Sequence, residues 1–153
     1  LKVIAEINAE DAIHGCLLFR PLPKQFDDRT VRAALAPEKD GKVFARAKTL
    51  MQHPDFTLRT PNRARSLLMA LCQSNPAAFH RADAAGYVFW ADRVIEIDSI
   101  NPQLASRLAR AMDHWRRLAE PYRTAAHEAI KRVSAKTDLS DDVREIITRS
   151  LQD

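Results

Sequence analysis

Five consecutive residues, His127-Glu128-Ala129-Ile130-Lys131, come within one side chain of a zinc-binding helix. In the H-E-x-x-H pattern two imidazoles one helical turn apart share a face, and each gives the metal a lone pair. Lys131 stands where the second imidazole is needed, and a protonated ammonium has no lone pair to give. The pattern fails. The remaining histidines, His14, His53, His80 and His114, are too scattered to complete a set, so no metal and no cofactor is expected. Cys16 and Cys72 each lie among apolar neighbours. That suits buried free thiols of a reducing compartment better than nucleophiles. No Ser-His-Asp set and no phosphate-binding glycine loop is present.

The elements that would position any chemistry fall into two parts. Leu1 to Ala12 carries apolar Leu1, Ile4, Ala5 and Ile7 between charges, which predicts a short amphipathic helix. Ile13 to Phe19 is a continuous apolar run stopped by Pro21 and Pro23, the pattern of a strand buried on both faces. Asp27-Asp28 can cap a helix running through Leu35, which Pro37 ends. Residues 1–40 therefore read as a helix–strand–helix slice of an α/β layer.

Beyond Asp40 only helices are predicted. Val43 to His53 is helical, and Thr60-Pro61, Asn75-Pro76 and Asn101-Pro102 each open a further helix. A polar cap followed by proline suits a first turn, where the missing N–H has no partner to lose. Ala64, Leu67, Leu68, Leu71 and Cys72 form one buried stripe, and Tyr87, Trp90, Ala91, Val94 and Ile95 another within Gly86 to Ile100. The helix from Pro102 is expected to carry Leu104, Leu108, Met112 and Trp115 before Pro121 breaks it. Tyr122 to Lys136 follows, and Ser140 caps a last helix bearing Val143, Ile146, Ile147 and Leu151. Short proline-punctuated turns predict a mainly α fold of stacked antiparallel helix pairs, solenoid-like, over residues 41–153.

Three blocks here resemble the C-terminal domain of bacterial aminopeptidase N. They are His53-Pro54-Asp55-Phe56-Thr57-Leu58-Arg59-Thr60-Pro61-Asn62-Arg63-Ala64, then Asn75-Pro76-Ala77-Ala78-Phe79-His80-Arg81-Ala82-Asp83 with Gly86-Tyr87-Val88-Phe89, then Asn101-Pro102-Gln103-Leu104-Ala105-Ser106-Arg107-Leu108. The resemblance covers about residues 43–153. It implies a zinc aminopeptidase whose chemistry lies in a preceding domain bearing H-E-x-x-H and G-A-M-E-N motifs. Neither motif is in this sequence. The helical domain would cover the active-site chamber and restrict access to it. By the same resemblance, Arg65, Gln103 and Arg107 would face substrate. Gln103 and Arg107 are spaced i, i+4 on one helix face, and guanidinium and amide groups can meet peptide carbonyls or a carboxylate. The alternative is that they bond carbonyls at neighbouring helix ends.

The first forty residues resemble something else. Ile4-Ala5-Glu6-Ile7-Asn8-Ala9, His14-Gly15-Cys16-Leu17-Leu18, Pro21-Leu22-Pro23-Lys24 and Ala36-Pro37-Glu38-Lys39-Asp40 look like a slice of methylenetetrahydrofolate dehydrogenase/cyclohydrolase. That family's folate-binding glutamine is replaced by Phe19, its catalytic lysine has no counterpart, and its V-D-G gives way to Gly41-Lys42. Two unrelated slices meeting near Asp40-Gly41-Lys42 predict an artificial or recombined chimera without native catalytic activity. The alternatives are a fragment of an intact zinc-dependent aminopeptidase, or residual folate or NADP binding by the first segment. A chain starting at Leu1 reads as an excerpt, and the parent families imply a cytoplasmic setting.

Partners follow from charge and from the lone strand. Residues 1–40 hold 6 basic and 7 acidic side chains; residues 41–153 hold 18 and 13. Basic residues alternate with acids, so Arg63, Arg110 and Arg117 read as solvated helix faces and no nucleic-acid partner is expected. Cys16 to Phe19 is too short to span a bilayer, so no membrane partner is expected either. Ile13 to Phe19 has no second strand to pair with, which predicts a homo-oligomer, a dimer through that run.

Overall fold

The structure is a computed structural model and describes residues 42–152. The expected helix–strand–helix segment, the Ile13–Phe19 run, His14 and Cys16 lie outside the described residues. Among the described residues there is no strand, and seven α-helices follow in order. They are α1 (Lys42–Met51), α2 (Pro61–Cys72), α3 (Pro76–Phe79), α4 (Ala85–Asp98), α5 (Pro102–Ala109), α6 (Tyr122–Ser134) and α7 (Asp141–Gln152). Two 3-10 turns, Arg110–Met112 and Trp115–Arg117, lie between α5 and α6.

The starts are set largely by the residues the sequence marks. Asn75 Oδ1 accepts from the Ala78 N–H at 3.1 Å, and Asn101 Oδ1 from the Leu104 N–H at 3.0 Å. Each side chain satisfies a first-turn donor that the helix cannot. Thr60 departs from expectation: its backbone is extended as a cap requires, but its side chain makes no cap hydrogen bond. Pro61 opens α2 without it. The α4 helix begins one residue early, with Asp83 Oδ1 accepting from the Ala85 N–H at 3.1 Å. A 2.6 Å bond from Arg81, then the Ala85 N–H, holds the Asp83 carboxyl down at about 2.

Packing follows the turns. Only Ser99, Ile100 and Asn101 separate α4 from α5, so the chain doubles back and the two helices pack together. The α6 and α7 helices pair likewise; α4 lies on α6, and α5 lies on both α2 and α7. This is a two-layer stack of helix pairs, each pair burying what the next leaves open. Its core holds Trp90, Tyr87, Phe79, Leu68, Leu108, Ile130 and Ile147, all essentially inaccessible. The Trp90 indole N–H donates to the Leu108 carbonyl at 2.9 Å, so the largest core ring brings no orphaned donor with it. At the other end Phe44 of α1 meets Phe89 of α4 edge-on, ring centroids 5.5 Å apart.

The helix from Pro102 is shorter than its stripe predicts. It leaves α geometry at Ala109 and continues as the two 3-10 turns. The stripe survives because residues three apart eclipse in 3-10 geometry, which keeps both Met112 and Trp115 buried.

His80 is held by another side chain. Its Nδ1 lies 2.9 Å from the Tyr87 hydroxyl, with Phe79 edge-on to Tyr87 at 5.5 Å. Burial lowers the His80 pKa from its ordinary 6.5, and burial, then Tyr122, pushes Tyr87 up to about 12. Below pH 6.5 the unfolded chain takes the His80 proton before the folded one does. The pair's contribution is therefore full above 6.5 and lost as pH falls through the lower folded value. The melting-temperature gap between wild type and His80→Gln should shrink from pH 7.5 to pH 5. An equal gap at both pH values would discard the pair as a titrating contact.

Candidate functional site

The helices that carry the sequence-predicted residues do meet, since α2 packs on α5. Arg65, Gln103 and Arg107 are all exposed, and none bonds another. Arg65 reaches only Asn62 in its own helix, at 3.5 Å. The bond between helix ends is made instead by Gln73, whose Nε2 donates to the Arg107 carbonyl at 3.3 Å. Gln73 follows the last residue of α2, so its side chain lands where α5 ends. Nothing in its spacing marked it, because the partner lies far along the chain.

The near-zinc sequence is built into other work. His127 stacks on Trp115 with ring centroids 4.9 Å apart and planes 11° from parallel. Glu128 Oε1 lies 3.4 Å from Lys131 Nζ, an ion pair one turn along α6. The lysine that replaces the second imidazole thus neutralises the glutamate beside the first. Among the described residues no group of three or more His, Cys, Asp or Glu is placed to hold a metal ion.

Trp115 is the centre of a second constellation that sequence inspection gave only as packing. Its Nε1 donates to the Ser150 carbonyl at 3.0 Å. Arg116 lies over the same indole, 4.7 Å from its centroid, and its Nη1 and Nη2 donate to the Ser150 and Leu151 carbonyls at 3.0 and 3.1 Å. The last carbonyls of a helix have no internal partner and carry the negative end of its dipole, so a guanidinium is well placed there. Arg123 and Thr124 close the same surface through Glu120, at 2.8 Å each. All of these polar groups satisfy the protein itself. The geometry ends α7; it does not present a reacting atom.

Cys72 is no better as a nucleophile. It is a buried free thiol, and burial pushes its pKa up to about 12, so thiolate is scarce at neutral pH. No helix among the described residues is long and apolar enough to cross a membrane.

Comparison with known proteins gives two matches. Residues 32–152 match the family described as "Domain of unknown function (DUF3458_C) ARM repeats". Residues 1–41 match "Tetrahydrofolate dehydrogenase/cyclohydrolase, catalytic domain". The aminopeptidase N of Caulobacter vibrioides is 37% identical over 109 residues, 71% of this chain and 13% of that protein. That of Escherichia coli is 33% identical over 139 residues, 85% of this chain and 16% of that protein. The bifunctional protein FolD of Phenylobacterium zucineum is 50% identical over 40 residues, 26% of this chain and 14% of that protein. The chain thus spans about a sixth or less of the length of these curated relatives. The two family matches overlap over residues 32–41, beside the seam expected at 40–42.

Proposed function

The chain belongs, over residues 32–152, to the DUF3458_C family of ARM repeats, and from that premise we propose that it is a noncatalytic helical covering domain of an aminopeptidase N, recombined with a FolD-like segment. One observation carries this. Key residues of the three blocks that resemble aminopeptidase N are consumed by architecture. Asn75 and Asn101 cap helices, Leu104 and Leu108 fill the core, and Gly86 admits the Phe79 backbone. A module in which these recognisable residues hold helices together is a scaffold, and its contribution to peptide cleavage would be to wall a chamber.

Purified full-length chain, supplied with zinc, should hydrolyse alanyl p-nitroanilide no faster than buffer. Zinc-dependent, chelator-sensitive turnover would overturn the noncatalytic assignment. A second reading, that the chain is one piece of an intact aminopeptidase, is favoured by the small share of its relatives that it spans. Reading the DNA continuously through the codons for residues 32–41 separates the two. A single unbroken aminopeptidase gene there would replace the recombined reading.

A further inference from the structure

The two ends of the helix stack differ in what they leave open. In one row α2 packs on α5 and α5 on α7, so α2 and α7 stand at opposite ends. Every exposed residue of α6 and α7 is polar or charged, Arg144, Glu145 and Arg149 among them. That is the outer face a repeat stack needs where it stops, because a terminal pair has no neighbour to cover apolar groups. The α1–α2 end is built differently. Leu50, near the end of α1, is 53% exposed, and Ala70 of α2 is exposed too.

An open groove of about 670 Å³ lies between these two helices, with Leu50, Phe56, Leu67 and Ala70 along it. Its wall on α2 is a second stripe. Arg63, Ser66, Leu67 and Ala70 follow i, i+3, i+4, i+7, while Ala64, Leu68 and Leu71 make the buried stripe of the same helix. Ser66 and Ala70 are small, so another helix can approach closely there.

The same groove carries one charge of each sign with capacity to spare. Asp55 keeps 80% of its side chain exposed, and its ion-pair partner among the described residues is His53, 3.8 Å away and itself exposed. Arg63 is exposed and donates to the Asp55 carbonyl oxygen, not to a carboxylate.

We propose that this face docks a second copy of the chain, α1–α2 against α1–α2 about a two-fold axis. A repeat stack that ends on an apolar face associates through it, since the face is shaped to be covered by a like pair. A two-fold contact must be self-complementary, and this face carries both members of each contact. Leu50 and Leu67 of each copy would enter the other's groove, and Asp55 of each would meet the other's Arg63. A partner bearing a single sign of charge would satisfy one of that pair and oppose the other. This contact uses none of the Ile13–Phe19 run.

Sedimentation equilibrium of the intact chain over a range of concentrations is the experiment. A monomer–dimer equilibrium is expected, its dissociation constant raised at least tenfold by Leu50→Glu and by Ala70→Glu. Both positions are exposed, so circular dichroism should show each variant folded. Asp55→Arg and Arg63→Asp should each weaken the dimer, and the double variant should recover it, because a two-fold axis exchanges the pair. A monomer at every concentration would overturn the proposal. A dimer untouched by Leu50→Glu and Ala70→Glu, including one lost instead on Leu17→Asp within the Ile13–Phe19 run, would overturn it as well. The two-fold arrangement would fall if the double variant recovered nothing, or if the chain grew into open-ended species, which need a contact that does not close.

Discussion

Gly86→Ala should destabilise the helical domain by about 3 kcal/mol, although helix propensity alone favours alanine inside a helix by about 1 kcal/mol. The sign is decided by one contact. A Cβ built on Gly86 lies 2.0 Å from the Phe79 carbonyl oxygen and 2.9 Å from its carbonyl carbon. Those atoms are backbone, so no rotamer change can clear them. Phe79 cannot retreat either, because it is 1% exposed and edge-on to Tyr87. The α3 turn would have to move away from α4, loosening the His80–Tyr87 bond with it. Urea unfolding is the measurement, with Gly86→Ser as a second variant expected to lose at least as much. A midpoint raised by the alanine, as propensity predicts, would show that α3 yields easily and that the close approach is not a constraint.

This glycine marks where sequence inspection stopped being informative. The stripes Ala64-Leu68-Leu71 and Trp90-Val94 were legible because helix period and side-chain type repeat locally, and the Asn-Pro starts because cap and proline act within one turn. The family resemblance added the helical family and the shorter, different match before it. Gly86 opens a predicted helix, and nothing in the sequence shows that a carbonyl occupies the space of its missing Cβ. Trp115 and Arg116 were legible as an aromatic and a basic residue, not as the end-cap of a helix lying 34 to 35 residues on. The break of α5 into 3-10 turns was hidden for a related reason: an i, i+3 stripe is shared by both helix types. Arg65, Gln103 and Arg107 are exposed on α2 and α5, and helix-face spacing fixes their direction about one axis without saying what they meet. What acts through long separations was invisible, and in this domain that includes most of its polar bonds between helices.

Asp98 is the extreme case of that class, and its removal should have the other large effect. It is the one buried charged side chain among the described residues, 6% exposed, and it ends α4, where the helix dipole disfavours an acid. Its partners explain its presence. Oδ2 accepts from the Ser140 N–H at 2.8 Å, and Oδ1 accepts from the Ser140 hydroxyl. The same hydroxyl oxygen lies 3.4 Å from the Val143 N–H and thereby touches the first turn of α7. Asp98 thus sets the cap of α7 from across the stack, and joins two helices that belong to different pairs. Asp98→Ala leaves the Ser140 N–H and hydroxyl without their acceptor. Hydrogen bonds to an ionised group contribute about 1.5–3 kcal/mol each, so a loss of about 3 kcal/mol is expected, lowering the melting temperature by roughly 10 °C. Asp98→Asn retains one acceptor oxygen and should lose less. Ser140→Ala removes the cap and one bond, costing about 1–2 kcal/mol. The double variant Asp98→Ala/Ser140→Ala should then fall short of the sum of the singles, because both remove the same bond. Strict additivity would mean that the two residues act independently, and that the Asp98–Ser140 contact does not couple α4 to the start of α7.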